Sequence, residues 1–207
     1  MGEATKVIPY LMSQKKTYVS TLKFGVKTDT DDVSGKILKR SNYRPTKREI
    51  SEALKYFSGQ IYQQPPVVSA VKVNGSRAYK LFRLGQHISL KSRQLLVSNI
   101  KIISQLDSER CSISFACGRG GYVRSIARDI GDFLGCFGCV ETLSRTSYGH
   151  FEIEDSIKLE NLLNISLEEI KNLTLGMEKG FSHLKFFECL REDYKKLENG
   201  IPIKNIY

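Results

Sequence analysis

Residues 111–135 limit the fold more than any other stretch. Cys111, Ile113, Phe115 and Cys117 alternate with Ser112 and Ser114. A period of two belongs to a strand with one buried face. Gly118, Gly120 and Gly121 then interrupt the pattern. From 123 to 134 the period lengthens, and Val123, Ile126, Ile130, Phe133 and Leu134 fall on one helical face. Arg128 and Asp132 are expected to pair at i, i+4, and Gly135 closes the helix. A one-faced strand feeding an amphipathic helix needs a sheet on which both can bury their apolar sides.

Other segments supply that sheet and its cover. Residues 17–26 read as a strand, with Tyr18, Leu22, Phe24 and Val26 on one side. Residues 28–36 (TDTDDVSGK) form a polar loop. Thr46 and Glu49 form a capping box, and Ile50, Ala53, Leu54 and Phe57 continue it as a helix to Gly59. Pro65-Pro66 forces extended chain. Residues 69–73 read as a strand, Asn74-Gly75 as a hairpin turn, 78–84 as a short helix and 94–103 as another strand. Beyond about Asp155 the pattern is helical, with a second capping box at Ser166 and Glu169. Strands and helices mixed irregularly, with a hairpin, predict an α+β fold with a mainly antiparallel sheet and flanking helices. The expected division is 1–155 for the sheet-bearing portion and 156–207 for a helical C-terminal segment.

Charge is unevenly placed. Residues 1–100 carry 18 Lys and Arg against 6 Asp and Glu, whereas residues 101–207 carry 14 against 16. The whole net charge of +10 therefore comes from the first half. Such a surface attracts polyanions, with nucleic acid the leading partner and an anionic membrane surface the other. No apolar run is long enough for a membrane span, and the first residues lack the pattern of a signal peptide, so the expected compartment is the cytoplasm. Five cysteines, an odd number, point to reduced thiols, and Cys136-x-x-Cys139 lacks a second ligand pair for zinc. The three histidines are scattered, and no phosphate-binding G-x-G-x-x-G or G-K-[ST] is present.

Four side chains stand out. Arg124 falls in the first turn of a helix, where the helix end is itself positive, so it should face a carboxylate or a phosphate. Tyr122, between the glycines and the helix, can stack on a base or line the core. Tyr18 follows Lys15-Lys16, so its ring could take a nucleobase while the lysines hold phosphate, or it could face the sheet core. Leu143, by itself, reads as a core leucine.

Taken in order, these segments resemble the bacterial tRNA pseudouridine-55 synthase family of the B type. The matching pieces are Gly2-Glu-Ala-Thr-Lys6, Lys16-Thr-Tyr18-Val19, Gly25-x-x-Thr28-Asp-Thr30, Pro65-Pro-Val-Val-Ser-Ala-Val-Lys72-Val-Asn-Gly75, Gly121-Tyr122-Val-Arg124-Ser and Leu143-Ser-Arg145-Thr146. The resemblance implies the pseudouridine synthase fold. It also implies isomerisation of a T-loop uridine of tRNA to its C-glycoside without metal or cofactor, by flipping the base out of the loop. An aspartate acts on the flipped nucleotide. In these terms Tyr18 stacks on the base, Tyr122 lies beside it, Leu143 packs against it, and Arg124 pairs with the catalytic carboxylate. The partner is tRNA, gripped at the T-loop and elbow by a monomer.

The departures are specific. The family's aspartate lies in G-x-L-D-P-x-A-x-G, upstream of G-E-A-T-K, and that motif is not among these 207 residues. Asp29, Asp31 and Asp32 lie in a different loop, and Asp129 is a poor substitute. The reading is therefore of a chain truncated before the nucleophile and inactive alone, with Leu197-Glu-Asn-Gly200 opening a cut-short RNA-binding domain. The alternative is a non-catalytic tRNA binder or folding helper. Gly121 stands where Thr is commoner, and Ser144 where Arg is commoner.

Overall fold

The computed structural model describes residues 2–185 and 188–203. The chain divides into two compact units, residues 12–161 and residues 1–11 with 162–207. The larger unit holds the sheet. It begins with β1 (Lys16–Phe24), β2 (Val26–Thr28) and β3 (Ile37–Arg40), which precede the helix Lys47–Tyr56. Then come β4 (Gly59–Gln63), β5 (Lys72–Val73), β6 (Ser76–Arg77) and the helix Ala78–Arg83. β7 (Arg93–Gln105) and β8 (Arg110–Cys117) lead into the helix Val123–Phe133, followed by β9 (Gly138–Tyr148) and β10 (Phe151–Glu152). Three helices that pack on the strands are called α1 (Lys47–Tyr56), α2 (Ala78–Arg83) and α3 (Val123–Phe133).

Six strands form one sheet in the order β10-β9-β1-β8-β7-β4, with antiparallel pairing throughout. The α+β expectation holds. β1 is central, with Tyr18 opposite Phe115 of β8 on one side and Arg145 of β9 on the other. On the covered face Leu22, Phe24, Ile113 and Phe115 meet Ile50, Ala53 and Leu54 of α1 and Val123, Ile126, Ala127 and Ile130 of α3. Burial of this apolar surface, at about 25 cal/mol per Å², is the main stabilising term.

Local signals held where they were strongest. Thr46 caps α1, with its hydroxyl accepting from the Glu49 N–H and Glu49 reaching back to the Thr46 N–H. Asn74 and Gly75 both have positive φ, 48° and 83°, and turn β5 into β6. Three expectations are corrected. The strand read over 17–26 breaks at Gly25, whose φ is 91°. The strand read over 69–73 shrinks to Lys72–Val73, because residues 67–70, after the Pro-Pro pair, form bends instead. Phe133, placed by period on the buried helical face, is 54% exposed and stacks on Tyr56 at 4.8 Å between ring centroids.

α3 approaches β9 through a glycine contact. A Cβ on Gly131 would lie 2.2 Å from the Gly138 backbone nitrogen and 2.3 Å from the Phe137 carbonyl carbon. The chain makes this turn with Phe137 at φ 61°.

The smaller unit joins the short helix Ile8–Leu11 to the helices Leu167–Leu173 and Arg191–Glu198. Val7 is buried, and a Cβ on Gly180 would collide with it at 2.2 Å. Tyr10 and Phe181 meet edge to face at 5.2 Å. Ser166 and Glu169 form the second capping box as read from the sequence.

The first capping box carries a pH signature. Donation from the Tyr43 hydroxyl, the Thr46 hydroxyl and the Thr46 N–H holds the Glu49 carboxyl down to about 2. A carboxyl depressed by folding stabilises above its ordinary value near 4.5 and loses that contribution as pH falls toward 2. Thermal melts of wild type and Glu49→Gln should therefore differ at pH 7 and converge as the pH is lowered. Parallel melts at both extremes would contradict the capping geometry.

Candidate active site

α3 starts where β8 ends, and its first turns are fastened to two other segments. Gln63, at the end of β4, is buried, and its side-chain amide pairs with the Tyr122 backbone: the Tyr122 N–H donates to Oε1 at 2.8 Å and Nε2 donates to the Tyr122 carbonyl at 3.1 Å. Ser125 Oγ donates to the Gln64 carbonyl at 2.8 Å. The glycines before Tyr122 permit this close fit. At Gly121 a Cβ would lie 2.6 Å from Cys117 Sγ, so the cysteine occupies the room that a threonine here would require.

Arg124 reaches across the gap between the 28–36 loop and the Pro-Pro segment. Nη1 donates to the Thr30 carbonyl at 2.9 Å and lies 3.4 Å from Asp32 Oδ2, and Nη2 donates to the Val68 carbonyl at 2.8 Å. Within the chain its anionic neighbour is the Asp32 carboxylate. Burial disfavours the Asp32 anion, but donation from Ser34 and Thr30 and the Arg124 charge outweigh it and hold this carboxyl below the usual range.

One helical turn on, Arg128 makes a second set of bonds to the same two segments. Nη1 meets Asp31 Oδ2 at 2.9 Å, Nη2 donates to the Gln64 carbonyl at 2.7 Å, and Nε meets Asp129 Oδ1 at 2.8 Å. The pairing expected between Arg128 and Asp132 does not form: Asp132 faces Lys27 at 3.0 Å instead. The loop folds over the helix, and Asp31, with φ 61°, turns its carboxylate inward to where Arg128 can reach it. Burial raises the carboxyls of both Asp31 and Asp129, against the pull of Arg128.

Tyr18 and Leu143 lie on neighbouring strands. Tyr18 is opposite Arg145 and Ser20 opposite Leu143, so the register puts both on the sheet face that α3 covers. Leu143 is 50% exposed, which corrects its reading as a core leucine. Tyr18 packs against the core and the Phe115 ring at 5.9 Å, and burial pushes its phenol up. Arg124 and Tyr122 thus stand at the start of α3, and Tyr18 and Leu143 on the neighbouring strands β1 and β9 of the sheet. Sequence reading missed Gln63, and it weighed Asp31 and Asp32 only as nucleophiles, not as partners of Arg128 and Arg124. A dense run of acids in T-D-T-D-D was the available signal for an arginine short of an anion.

Burial pushes the thiols of Cys111, Cys117, Cys136 and Cys139 up to about 11. Among the described residues no helix is long and apolar enough to cross a membrane.

The architecture is the pseudouridine synthase fold. It superposes on a chain in the crystal structure of a Cbf5-Nop10-Gar1 complex with a TM-score of 0.63 and 24% identity, over 87% of this chain and 47% of that one. An archaeal box H/ACA Nop10-Cbf5 complex matches with a TM-score of 0.60 and 21% identity, over 87% and 46%. Residues 1–123 match the N-terminal domain of the TruB family of pseudouridylate synthases, and residues 124–181 match the C-terminal domain of tRNA pseudouridylate synthase B. The tRNA pseudouridine synthase B of Ruegeria pomeroyi is 42% identical over 98% of this chain and 67% of its own length. That of Wolbachia pipientis from Culex pipiens is 46% identical over 78% of this chain and 46% of its own length. The chain belongs to the TruB family.

Proposed function

We propose that these residues form the base-gripping part of a tRNA pseudouridine-55 synthase, which isomerises a T-loop uridine after flipping it from the RNA. The observation that carries the reading is Arg124, fixed by two carbonyls and a carboxylate at the start of α3, in a unit whose adjacent strands β1 and β9 carry Tyr18 and Leu143 on one sheet face. Tyr18 stacks on the everted ring, Leu143 packs against it, and Tyr122 lies beside it. Stacking offsets the few kcal/mol, roughly, that extrusion costs. Arg124 keeps a catalytic carboxylate ionised and oriented. No cofactor or metal enters the reaction. The protein acts as a cytoplasmic monomer on the T-loop and elbow of tRNA.

Residues 1–207 hold no Leu-Asp-Pro. Tritium release from 5-tritiated uridine in a T-loop hairpin tests the chemistry. The expected result is none from residues 1–207 and release from a polypeptide extended by the family's G-x-L-D-P segment. Release from residues 1–207 alone would overturn the assignment of the nucleophile. The second reading, a non-catalytic tRNA binder, is favoured by the charge excess in residues 1–100. Under it, residues 1–207 bind the hairpin with a steep negative slope of log K against log salt. A flat slope removes it.

A further inference from the structure

Arg44, Arg48, Arg110, Arg124 and Arg128 of the sheet-bearing unit each face a carboxylate, at 2.6, 3.2, 2.6, 3.4 and 2.9 Å. Its other arginines, Arg40, Arg77, Arg83, Arg93, Arg119 and Arg145, have no ion pair to a carboxylate among the described residues, and neither does Lys16. Of these cations, Lys16, Arg93, Arg119 and Arg145 lie on neighbouring strands and the turn after β8. Lys16 pairs in register with Cys117, two residues before Arg119, and with Tyr148 on its other side. The Lys16 ammonium stands 4.4 Å from the centre of the Tyr148 ring, and the Arg145 guanidinium 5.1 Å from the same centre. Arg145 is the register partner of Tyr18. Arg93 and Arg119 line a cavity of about 240 Å³ with Gln63, Pro65 and Gly120, next to the Tyr122 backbone.

The electrostatics agree with the geometry. Burial lowers the Lys16 ammonium, and the Arg145 and Arg119 charges lower it further. Its acidic neighbour is the Cys117 thiol, which burial keeps protonated up to about 11. A fold that crowds cations without a counter-ion spends stability there, and an external anion recovers it. The ligand must present several negative charges along a line, because the cations follow the end of the sheet from β9 through β1 and β8 to β7. A phosphodiester backbone has that form.

We propose that Lys16, Arg119 and Arg145 form a phosphate clamp around the Tyr18 ring, gripping the RNA backbone on either side of the nucleotide stacked there, with Arg93 taking the next phosphate. This rests on the RNA-binding reading above.

The test uses residues 1–207 and a labelled T-loop hairpin, followed by fluorescence anisotropy from low to high salt. Arg119→Gln and Arg145→Gln should each weaken binding about tenfold near physiological salt. Each should reduce the magnitude of the salt slope by about 0.7–0.9, one phosphate contact. Lys55→Gln, on the exposed side of α1, should change neither. Methylphosphonate substitution flanking the target uridine should weaken wild type equally, and the arginine variants should show no further loss. That arm does not depend on how well a variant folds. If wild type binds with a steep slope and the clamp variants and neutral-backbone RNA match it, the clamp is wrong and RNA binding stands. If wild type does not bind the hairpin, both fall together.

Discussion

Gly131→Ala should destabilise the fold by about 3 kcal/mol, lowering the melting temperature by roughly 6–12 °C. The added methyl would meet the Gly138 nitrogen at 2.2 Å and the Phe137 carbonyl carbon at 2.3 Å. Both are backbone atoms, so no rotamer change relieves the contact. Either α3 moves off β9 or the turn around Phe137, already at φ 61°, is pushed further. Gly118→Ala is the control, since a Cβ there has nothing within 4 Å and its φ is not positive. Circular dichroism melts of the two variants decide the point. Equal midpoints would mean that the α3–β9 contact is looser than described.

Arg124→Met, in a polypeptide extended by the G-x-L-D-P segment, should lower tritium release by about 10²-fold or more while leaving hairpin affinity within a few-fold of wild type. Removal of the guanidinium deprives Asp32 of its partner and the Thr30 and Val68 carbonyls of their donor. The loop and the Pro-Pro segment then lose one of their two shared anchors, Arg128 remaining, and the proposed nucleophile loses its orienting charge. Asp32→Asn separates these effects. It keeps the two carbonyl bonds and should cost less than Arg124→Met. Single-turnover kinetics at saturating RNA check both variants. A loss of affinity equal to the loss of rate would place Arg124 on the RNA backbone instead.

The parts of this molecule that were legible in the sequence are the ones decided within a few residues. The boxes at Thr46 and Ser166 are closed by groups three positions away, and the Asn74-Gly75 turn is set by its own two dihedrals. The β8–α3 passage was legible because its period changes inside one segment. β9 was not. Its middle residues are exposed on both faces, and without a buried stripe there is no alternation to read. β4 is five residues of mostly polar chain at a sheet edge. Arg128 shows the limit most clearly. Its helical neighbour Asp132 was the reasonable partner by spacing, yet Asp31, 97 positions away, holds it. Only the folded loop makes that carboxylate near. Arg124 was legible as a residue in need of an anion, but not as the partner of Asp32, for the same reason.

The place of β1 in the sheet has a consequence for biosynthesis. Both strands that flank it are synthesised long after it, β8 with Phe115 opposite Tyr18 and β9 with Arg145 opposite the same residue. At roughly 5–20 residues per second, the nascent chain carries this strand, with Tyr18, Leu22 and Phe24 uncovered, without either neighbour for many seconds. Sheet closure therefore waits for translation of the segment up to Tyr148, and a chaperone that shields extended hydrophobic chain should raise the yield of native protein more than one that acts on helices.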